Sequence, residues 1–345
     1  MNLVRRTLLT SVTLALGVAA LVSPARAAGE VNLYTTREPG LIQPLLNSFT
    51  ETTGIKVNTV FINAGLAERV AAEGARSPAD VLMTVDFGSL AELDQRNLTQ
   101  RVVSPAVAAA MPSWLSDTSA HWVPLSLRAR VIVASKDRVP DRTMTYEQLA
   151  DPKWKGRVCI RSGNHPYNTA LFGAMIVKKG PAATEAYMTA LKVNLARKAG
   201  GGDRDVIRDI MAGICDLGVT NSYYVGLMLS GKGGAEQKRW AESVRMVLPT
   251  FADGAGTHVN ISGASLARHA PNVANGTKLI EYLLSPEAQK TYADVNFEIP
   301  VLAEVPLHPV IAELSAMKVD TTSLVQVAGQ RTAASMMVDR VGFDK

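Results

Sequence analysis

Two adjacent tyrosines are the residues of this chain with the clearest potential for chemistry. Tyr223 and Tyr224 lie in the run GVTNSYYVGLM, and the whole chain of 345 residues has only eight tyrosines. Neighbouring side chains diverge in both a strand and a helix, so two phenols meet only where the backbone changes direction. Two interpretations stay open: the rings fill separate packing gaps, or the phenols converge on one ligand.

A third tyrosine has a similar sequence environment. Tyr167 lies in CIRSGNHPYNTALF, where a strand-like run, a polar turn and a helix-like run follow one another. The tyrosine pair follows the strand-like run ICDLGVT, and Asn221 and Ser222 are good N-cap residues for the next helix. Because strand ends and helix N-termini face the ligand in α/β folds, we expect all three phenols at one edge of a sheet.

The two cysteines lie in the strand-like runs that precede these tyrosines. Cys159 is in GRVCIRSG and Cys215 is in GICDLGVTN. An even cysteine count in an exported chain favours a disulfide, and neighbouring strands would bring the two sulfurs together. Two reduced, buried thiols are the alternative. No Cys or His spacing resembles a zinc site.

The N-terminus predicts export. Residues 1–27 carry Arg5 and Arg6, then an apolar stretch, then a small-residue triplet that ends at Ala27. This is the layout of a signal peptide cleaved after Ala27 by way of the general secretory route. A twin-arginine route, based on the arginine pair, and an uncleaved membrane anchor are the alternatives.

The charge of the mature chain argues against nucleic-acid binding. The leader has three arginines and no acid, so its loss lowers the formal charge from +5 to +2, with 33 basic against 31 acidic side chains. Such a balance offers no basic surface for nucleic acid. No later apolar run is long enough to span a bilayer.

The order of elements predicts a bilobed α/β fold. Strand-like and helix-like runs alternate, which is typical of parallel α/β sheets, and 318 residues usually form two domains. Two long extended runs, HWVPLSLRARVIVASK and HVNISGASLA, would join the lobes as hinge strands around a binding cleft. The predicted division is a signal peptide at 1–27, an N-terminal lobe at 28–128 and 255–304, and a C-terminal lobe at 129–254 and 305–345.

These runs resemble the periplasmic ferric-ion-binding proteins of bacterial ABC importers. The resemblance covers nearly all of the mature chain and includes VNLYTTREPGLIQPLLNSFTETTGIKV, SPADVLMTVD, SLRARVIVASK, WKGRVCIRSGNHPYN, NSYYVG and GTHVNISGASLARHAPN. The most specific of these is NSYYVG. The resemblance implies a type II periplasmic binding fold related to the transferrin lobe. It also implies Tyr223 and Tyr224 as iron ligands, and Tyr167 as a third ligand in one subgroup.

The residue types agree with that chemistry. Ferric ion is a hard cation that prefers anionic oxygen, and a bound metal drives phenols to deprotonate. Three tyrosinates balance a 3+ charge. Arg128 and Arg130 alternate on an extended run and share one face. The resemblance implies that Arg128 holds a synergistic anion such as carbonate, and a hinge salt bridge is the alternative for these arginines. His165, two residues before Tyr167, is expected to support the ligands.

The N-terminal half of the predicted site departs from the family pattern. Many relatives have a histidine, or a histidine and a tyrosine, after the first strand, whereas this chain has Arg37-Glu38-Pro39. Glu38 is an oxygen donor that could bind iron directly or through water. A carboxylate that stabilises a helix N-terminus is the alternative. An anion or water would then complete the iron coordination.

The function predicted from the sequence is capture of ferric iron in the periplasm and delivery to the permease of an inner-membrane ABC importer, by a monomer that does not bind nucleic acid. A binding protein of the same fold for an oxyanion or a small organic cation is the alternative, with the tyrosines as an aromatic box. The sequence has no G-x-S-x-G element, zinc signature or Walker sequence, so we do not expect an enzyme.

Overall fold

The computed structural model describes residues 29–115 and 119–345. The predicted signal peptide, residues 1–27, lies outside the described residues. Within the described part of the chain, no helix has both the length and the apolar character needed to cross a membrane.

The described residues form ten strands and twelve helices. The strands are β1 (Glu30–Thr35), β2 (Lys56–Phe61), β3 (Val81–Thr84), β4 (Thr99–Gln100), β5 (Val123–Ser135), β6 (Val158–Cys159), β7 (Leu217–Asn221), β8 (Val244–Val247), β9 (Val259–Ala267) and β10 (Ile299–Pro300). The helices are α1 (Pro39–Thr53), α2 (Leu66–Glu73), α3 (Phe87–Gln95), α4 (Pro105–Ala110), α5 (Pro166–Val193), α6 (Asp203–Met211), α7 (Ser222–Leu229), α8 (Ala235–Glu242), α9 (Val273–Leu283), α10 (Pro286–Thr291), α11 (Leu324–Gly329) and α12 (Arg331–Val341).

The first three strands form the parallel α/β unit that the sequence predicts. β1 pairs in parallel with β2 and with β3, and α1 and α2 connect these strands. Every residue of β3 is buried, so its side chains do not alternate between buried and exposed positions. Such full burial is typical of a parallel strand covered by helices on both faces.

β5 connects the two halves of the molecule. Its 13 residues are all buried, which explains the long apolar run in the sequence. Val123 to Ala129 pair with β9, whereas Arg130 to Ala134 pair with β7. The predicted bilobed, mixed α/β fold is therefore confirmed, and the precise residues at which the lobes divide stay a prediction.

The C-terminal helices complete the core of the second lobe. α12 returns to α5, and the rings of Phe172 and Phe343 meet edge to face with centroids 5.6 Å apart. α5 itself is interrupted at Gly180, where φ is +80°, so it consists of two helical segments with a kink between them. Burial of each such aromatic side chain contributes about 1.5–3 kcal/mol.

The predicted disulfide is confirmed. Cys159 and Cys215 are bonded, with Cα atoms 5.8 Å apart. β6 and β7 are parallel neighbours, and Cys159 lies opposite Gly218. A Cβ at Gly218 would lie only 2.9 Å from the Cys159 carbonyl oxygen, so the close approach of the strands requires glycine.

The strand around Cys159 is shorter than the sequence predicts. The run RVCIRSG contributes only Val158 and Cys159 to β6. The following backbone groups bond elsewhere: the Ile160 carbonyl accepts from Gly200, and the Gly163 amide donates to the Asp344 carboxylate. Competition from these partners ends the strand two residues after it begins.

Replacement of both cysteines is expected to destabilise the protein. The disulfide closes a loop with a sequence separation of 56 residues. Restriction of the unfolded chain by a loop of this size corresponds to about 4 kcal/mol. Cys159→Ala/Cys215→Ala should therefore lower the free energy of unfolding by up to that amount in urea titrations at equilibrium. The reduced native sequence is the control, and an oxidised protein no more stable than the reduced one would contradict the prediction.

Candidate functional site

Three tyrosines line one cavity between the two halves of the molecule. The cavity has a volume of about 610 Å³, and Tyr167, Tyr223 and Tyr224 are all part of its wall. The rings of Tyr223 and Tyr224 are adjacent, with centroids 4.1 Å apart and planes 31° apart. The adjacent phenols therefore lie together at the cavity, which is the arrangement that one shared ligand requires.

The junction between β7 and α7 explains how consecutive side chains meet. Asn221 ends the strand in an extended conformation, and Ser222 begins the helix. Tyr223 and Tyr224 thus belong to the first helical turn, where side chains tilt back toward the helix N-terminus and the cavity. Gly226 allows the helix to pack closely, because a Cβ there would lie 2.7 Å from the Cβ of Phe297.

Tyr167 lies at a similar junction, in the first turn of α5. The helix begins at Pro166, and His165 is its N-cap. The His165 Nδ1 atom accepts a hydrogen bond from the Tyr167 amide at 3.2 Å, and the two rings meet with centroids 4.5 Å apart. Burial and the neighbouring Arg161 guanidinium lower the pKa of His165 to about 3, so its imidazole is neutral and can accept this bond.

Arg130 connects both tyrosine junctions to a third helix. Its Nη1 atom donates to both carboxylate oxygens of Asp203 at 3.1 Å and to the Asn221 side-chain oxygen at 3.2 Å. Its Nη2 atom donates to the Asn168 side-chain oxygen at 2.7 Å. Asp203 begins α6, Asn168 follows Tyr167, and Asn221 lies two residues before Tyr223. One buried guanidinium therefore fixes the relative positions of all three helix starts.

This network changes the roles that the sequence predicts for two polar residues. Asn221 occupies the N-cap position of α7, but its side chain makes no capping bond and accepts from Arg130 instead. Ser222 is the first helical residue, and its buried hydroxyl has no hydrogen-bond partner among the described residues. Arg130 does not line the cavity, so among the two predicted arginines Arg128 is the one that faces it.

Arg128 lies directly against the tyrosines. Its Nη1 atom donates to the phenolic oxygen of Tyr167 at 3.2 Å, and its Nη2 atom donates to the Ile261 carbonyl at 3.2 Å. The guanidinium carbon is 5.2 Å from the Tyr167 ring centroid and 5.9 Å from that of Tyr223. The side chain is 1% exposed, so its charge acts at close range on whatever occupies the cavity.

Burial determines the protonation of the tyrosine pair. Burial, reinforced by the nearby Tyr167 and Tyr224, raises the pKa of Tyr223 well above its ordinary value. Burial, and then the proximity of Tyr167, raises the pKa of Tyr224 to about 12. Both side chains are therefore neutral phenols at neutral pH, and a ligand that needs phenolate must displace their protons.

A buried ion pair between Arg37 and Glu298 forms another part of the cavity wall. Arg37 and Glu298 are both buried, and the Arg37 Nη1 and Nη2 atoms donate to the two Glu298 oxygens at 2.9 and 3.0 Å. The Ser126 and Ser262 hydroxyls complete this network. The sequence analysis missed the role of Glu298, which appears in the sequence only as a single acid in the run VNFEIPV.

Glu38 remains the free carboxylate of this wall. It is the N-cap of α1 and lines the cavity, but it is exposed and its side chain makes no capping hydrogen bond. By contrast, Asp86 accepts from the Ser89 amide at 2.9 Å and so caps α3. Glu38, in the turn between β1 and α1, therefore keeps its carboxylate oxygens available for a ligand.

The donor set is characteristic of a hard cation. Within the described residues, no group of three His, Cys, Asp or Glu side chains is close enough to hold a metal. Three phenolic oxygens cluster at the cavity, and as phenolates they are suitable ligands for a small, highly charged metal ion. The residues of the wall thus agree with ferric ion as a ligand.

Loss of Arg130 is expected to destabilise the fold. Arg130→Met removes the guanidinium whose Nη1 atom contacts both oxygens of the buried Asp203 carboxylate, which should cost about 3–5 kcal/mol of the free energy of unfolding. Arg340→Met is the matched control, because Arg340 pairs with Glu185 at an exposed site where a salt bridge contributes little. Equal unfolding midpoints for the two variants would contradict this assignment.

Comparison with known proteins places this chain in a family. Residues 76–319 match the family model described as bacterial extracellular solute-binding protein. The chain is 40% identical over 316 residues to iron uptake protein A1 of Synechocystis sp., which covers 91% of this chain and 87% of that protein. It is similar to the structure of a Bordetella ferric binding protein, with 54% identity, a TM-score of 0.85, and coverage of 92% of this chain and 100% of the other.

A further structure is similar at comparable coverage. A Trichodesmium protein solved in complex with iron and citrate ligands has 38% identity and a TM-score of 0.85 over 91% of this chain and 100% of that chain. The match to the family model covers more than half of the sequence, and the curated relative extends over nearly all of it. The chain therefore belongs to the bacterial extracellular solute-binding protein family.

Proposed function

We propose that this protein captures ferric iron in the periplasm with Tyr167, Tyr223 and Tyr224 as tyrosinate ligands, and delivers it to an ABC importer. The observation that carries the proposal is the position of these phenols on one cavity wall, with Arg128 beside them. Three phenolates balance the charge of one ferric ion. Relatives named for iron uptake and ferric binding support the same ligand.

The remaining coordination positions are assigned to an anion and to Glu38 or water. Arg128 offers a positive charge at the tyrosines, where carbonate or another oxyanion would both contact the metal and accept hydrogen bonds. Glu38 supplies an oxygen from the other lobe. Closure of the lobes would bring this carboxylate toward the metal and so couple iron binding to the conformation of the protein.

The proposed activity is binding and transport without catalysis. The named relatives are uptake and binding proteins, and membership of the solute-binding family implies a permease as partner. The relatives named for iron uptake and ferric binding favour ferric iron over the alternative, an aromatic box for an organic cation.

The tyrosine pair is expected to produce the visible colour of the iron complex. Wild-type protein with ferric ion should show a tyrosinate-to-iron charge-transfer band, and Tyr223→Phe/Tyr224→Phe should lose most of it. Because two ligands are removed, the iron affinity should fall by more than about 100-fold. Absorbance titration with ferric ion measures both quantities.

Tyr282→Phe is the control for this experiment. Tyr282 lies on α9 and packs against Phe49, away from the cavity. This variant should keep the band and the affinity of the wild type. An unaltered band in the double variant would contradict tyrosinate ligation, and loss of the band in Tyr282→Phe would show that the effect is not specific.

Iron binding is expected to weaken as the pH falls. Tyr223 and Tyr224 have raised pKa values, so they are protonated at neutral pH and each must lose a proton to bind iron. Each released proton lowers the affinity about tenfold per unit of falling pH, and three tyrosines release up to three. Competition with a chelator between pH 8 and 6, corrected for protonation of the chelator, measures the slope. An affinity independent of pH would exclude phenolate ligands.

A further inference from the structure

A tyrosine hydroxyl lies between the two long strands that join the lobes. Tyr146 is completely buried, and its hydroxyl donates to the Arg130 carbonyl oxygen at 2.5 Å and accepts from the His258 amide at 3.1 Å. Arg130 belongs to β5, and His258 immediately precedes β9. One side-chain oxygen therefore bonds to both of these backbone segments at the same level.

This hydroxyl takes the place of one bond of the β-ladder. Ala129 and Val259 are the last residues of β5 and β9 that pair, and in an antiparallel ladder a hydrogen-bonded pair exchanges two N–H···O bonds. The Arg130 amide donates directly to the His258 carbonyl oxygen at 2.9 Å, whereas the His258 amide reaches the Arg130 carbonyl only through Tyr146. The phenol thus marks the point at which β9 leaves β5.

Tyr146 itself is held by the core of the second lobe. Its amide donates to the Thr250 carbonyl oxygen at 3.0 Å, and its carbonyl oxygen accepts from the Tyr187 hydroxyl at 3.1 Å. Its ring packs against Phe251 with centroids 4.8 Å apart. Burial raises the pKa of the Tyr146 phenol, so the hydroxyl stays protonated and can both donate and accept. The second lobe therefore fixes the position of this hydroxyl.

The bond to His258 lies at the boundary between the lobes. The His258 side chain lines a second cavity, whose walls come from α3 of the first lobe and from α5 and α11 of the second. The Arg130 side chain, in turn, holds the starts of the helices that carry the proposed iron ligands. A displacement of β9 relative to Arg130 would therefore move the first lobe relative to the tyrosines.

We propose that Tyr146 is a positioning residue for iron capture, whose hydroxyl sets the pivot about which the two lobes close. It fastens the start of β9 to the second lobe at the residue where β5 changes its partner. Without the hydroxyl, His258 keeps only one of these two backbone bonds, and its amide loses its partner in a buried position. This inference rests on the proposed capture of iron.

The test uses Tyr146→Phe, which keeps the ring and removes only the hydroxyl. In the iron-free protein, hydrogen exchange followed by NMR should become about tenfold faster at the His258 amide and stay unchanged at Leu266, near the far end of β9. The affinity for ferric iron, from competition with a chelator at fixed pH, should fall about threefold to tenfold, because the loosened hinge must be ordered when the lobes close. The charge-transfer band should keep its position, because the tyrosine ligands remain.

Tyr187→Phe is the matched control. Tyr187 is also buried, and its hydroxyl also donates to a backbone carbonyl oxygen, but that carbonyl belongs to Tyr146 and lies inside the second lobe. Thermal unfolding should show a similar loss of stability in the two variants. Tyr187→Phe should nevertheless keep the iron affinity of the wild type and its exchange rate at His258.

Several outcomes would overturn the pivot. Unchanged exchange at His258 in Tyr146→Phe would mean that the hydroxyl does not hold the strand, and faster exchange with wild-type affinity would mean that the bond is only structural. An equal loss of affinity in Tyr187→Phe, or a Tyr146→Phe variant that does not fold, would assign the hydroxyl to the stability of the whole lobe. Wild-type protein that does not bind iron would instead overturn the proposed function, while exchange at His258 would still show whether Tyr146 holds the strand.

Discussion

The buried contact between Arg130 and Asp203 is the interaction on which the site depends. The tyrosines lie in the first turns of two helices that begin more than fifty residues apart, at Pro166 and Ser222, and neither helix contains information about the position of the other. Arg130 joins the starts of both helices, and Asp203 supplies the charge that makes its burial possible. The cost of removing two charges from water is offset by the number of bonds that they form at once. The nearby disulfide holds β6 and β7 in register, so covalent and ionic restraints act on the same pair of junctions.

The two walls of the cavity are electrically different. On one wall, Arg37 and Glu298 cancel each other, and their serine partners complete a closed set of bonds. On the other wall, neutral phenols lie beside arginines whose donors are not all used. The phenols are therefore arranged to exchange their protons for a bound cation, while the guanidinium of Arg128 lies beside them. Because a low-dielectric site strengthens each of these interactions, a few residues can determine its selectivity.

Much of the fold could be predicted from the sequence, because local patterns determine it. The alternating strands and helices, the long β5 and the two cysteine-bearing strands follow from periodicity and burial, and the tyrosine junctions follow from their polar turns. The pairing of distant residues could not be predicted in this way. The sequence around Asp203 and Glu298 does not distinguish them from acids exposed to solvent. Asn221 is a residue type that commonly caps helices, but its side-chain oxygen accepts a hydrogen bond from Arg130 instead. The length of β6 depends on Gly200 and Asp344, which are remote in sequence.

The change of partner within β5 has a mechanical consequence. Ala129 is the last residue that pairs with β9, and Arg130 is the first that pairs with β7, so the strand changes its partner across a single peptide unit. Arg128 and Arg130 are on either side of this unit and face the same way. Arg128 donates a hydrogen bond to Tyr167, which we assign as an iron ligand, and Arg130 holds the starts of the helices in position. A rotation of the backbone at that peptide would therefore displace Arg128 and Arg130 directly, because they are the nearest side chains of this face.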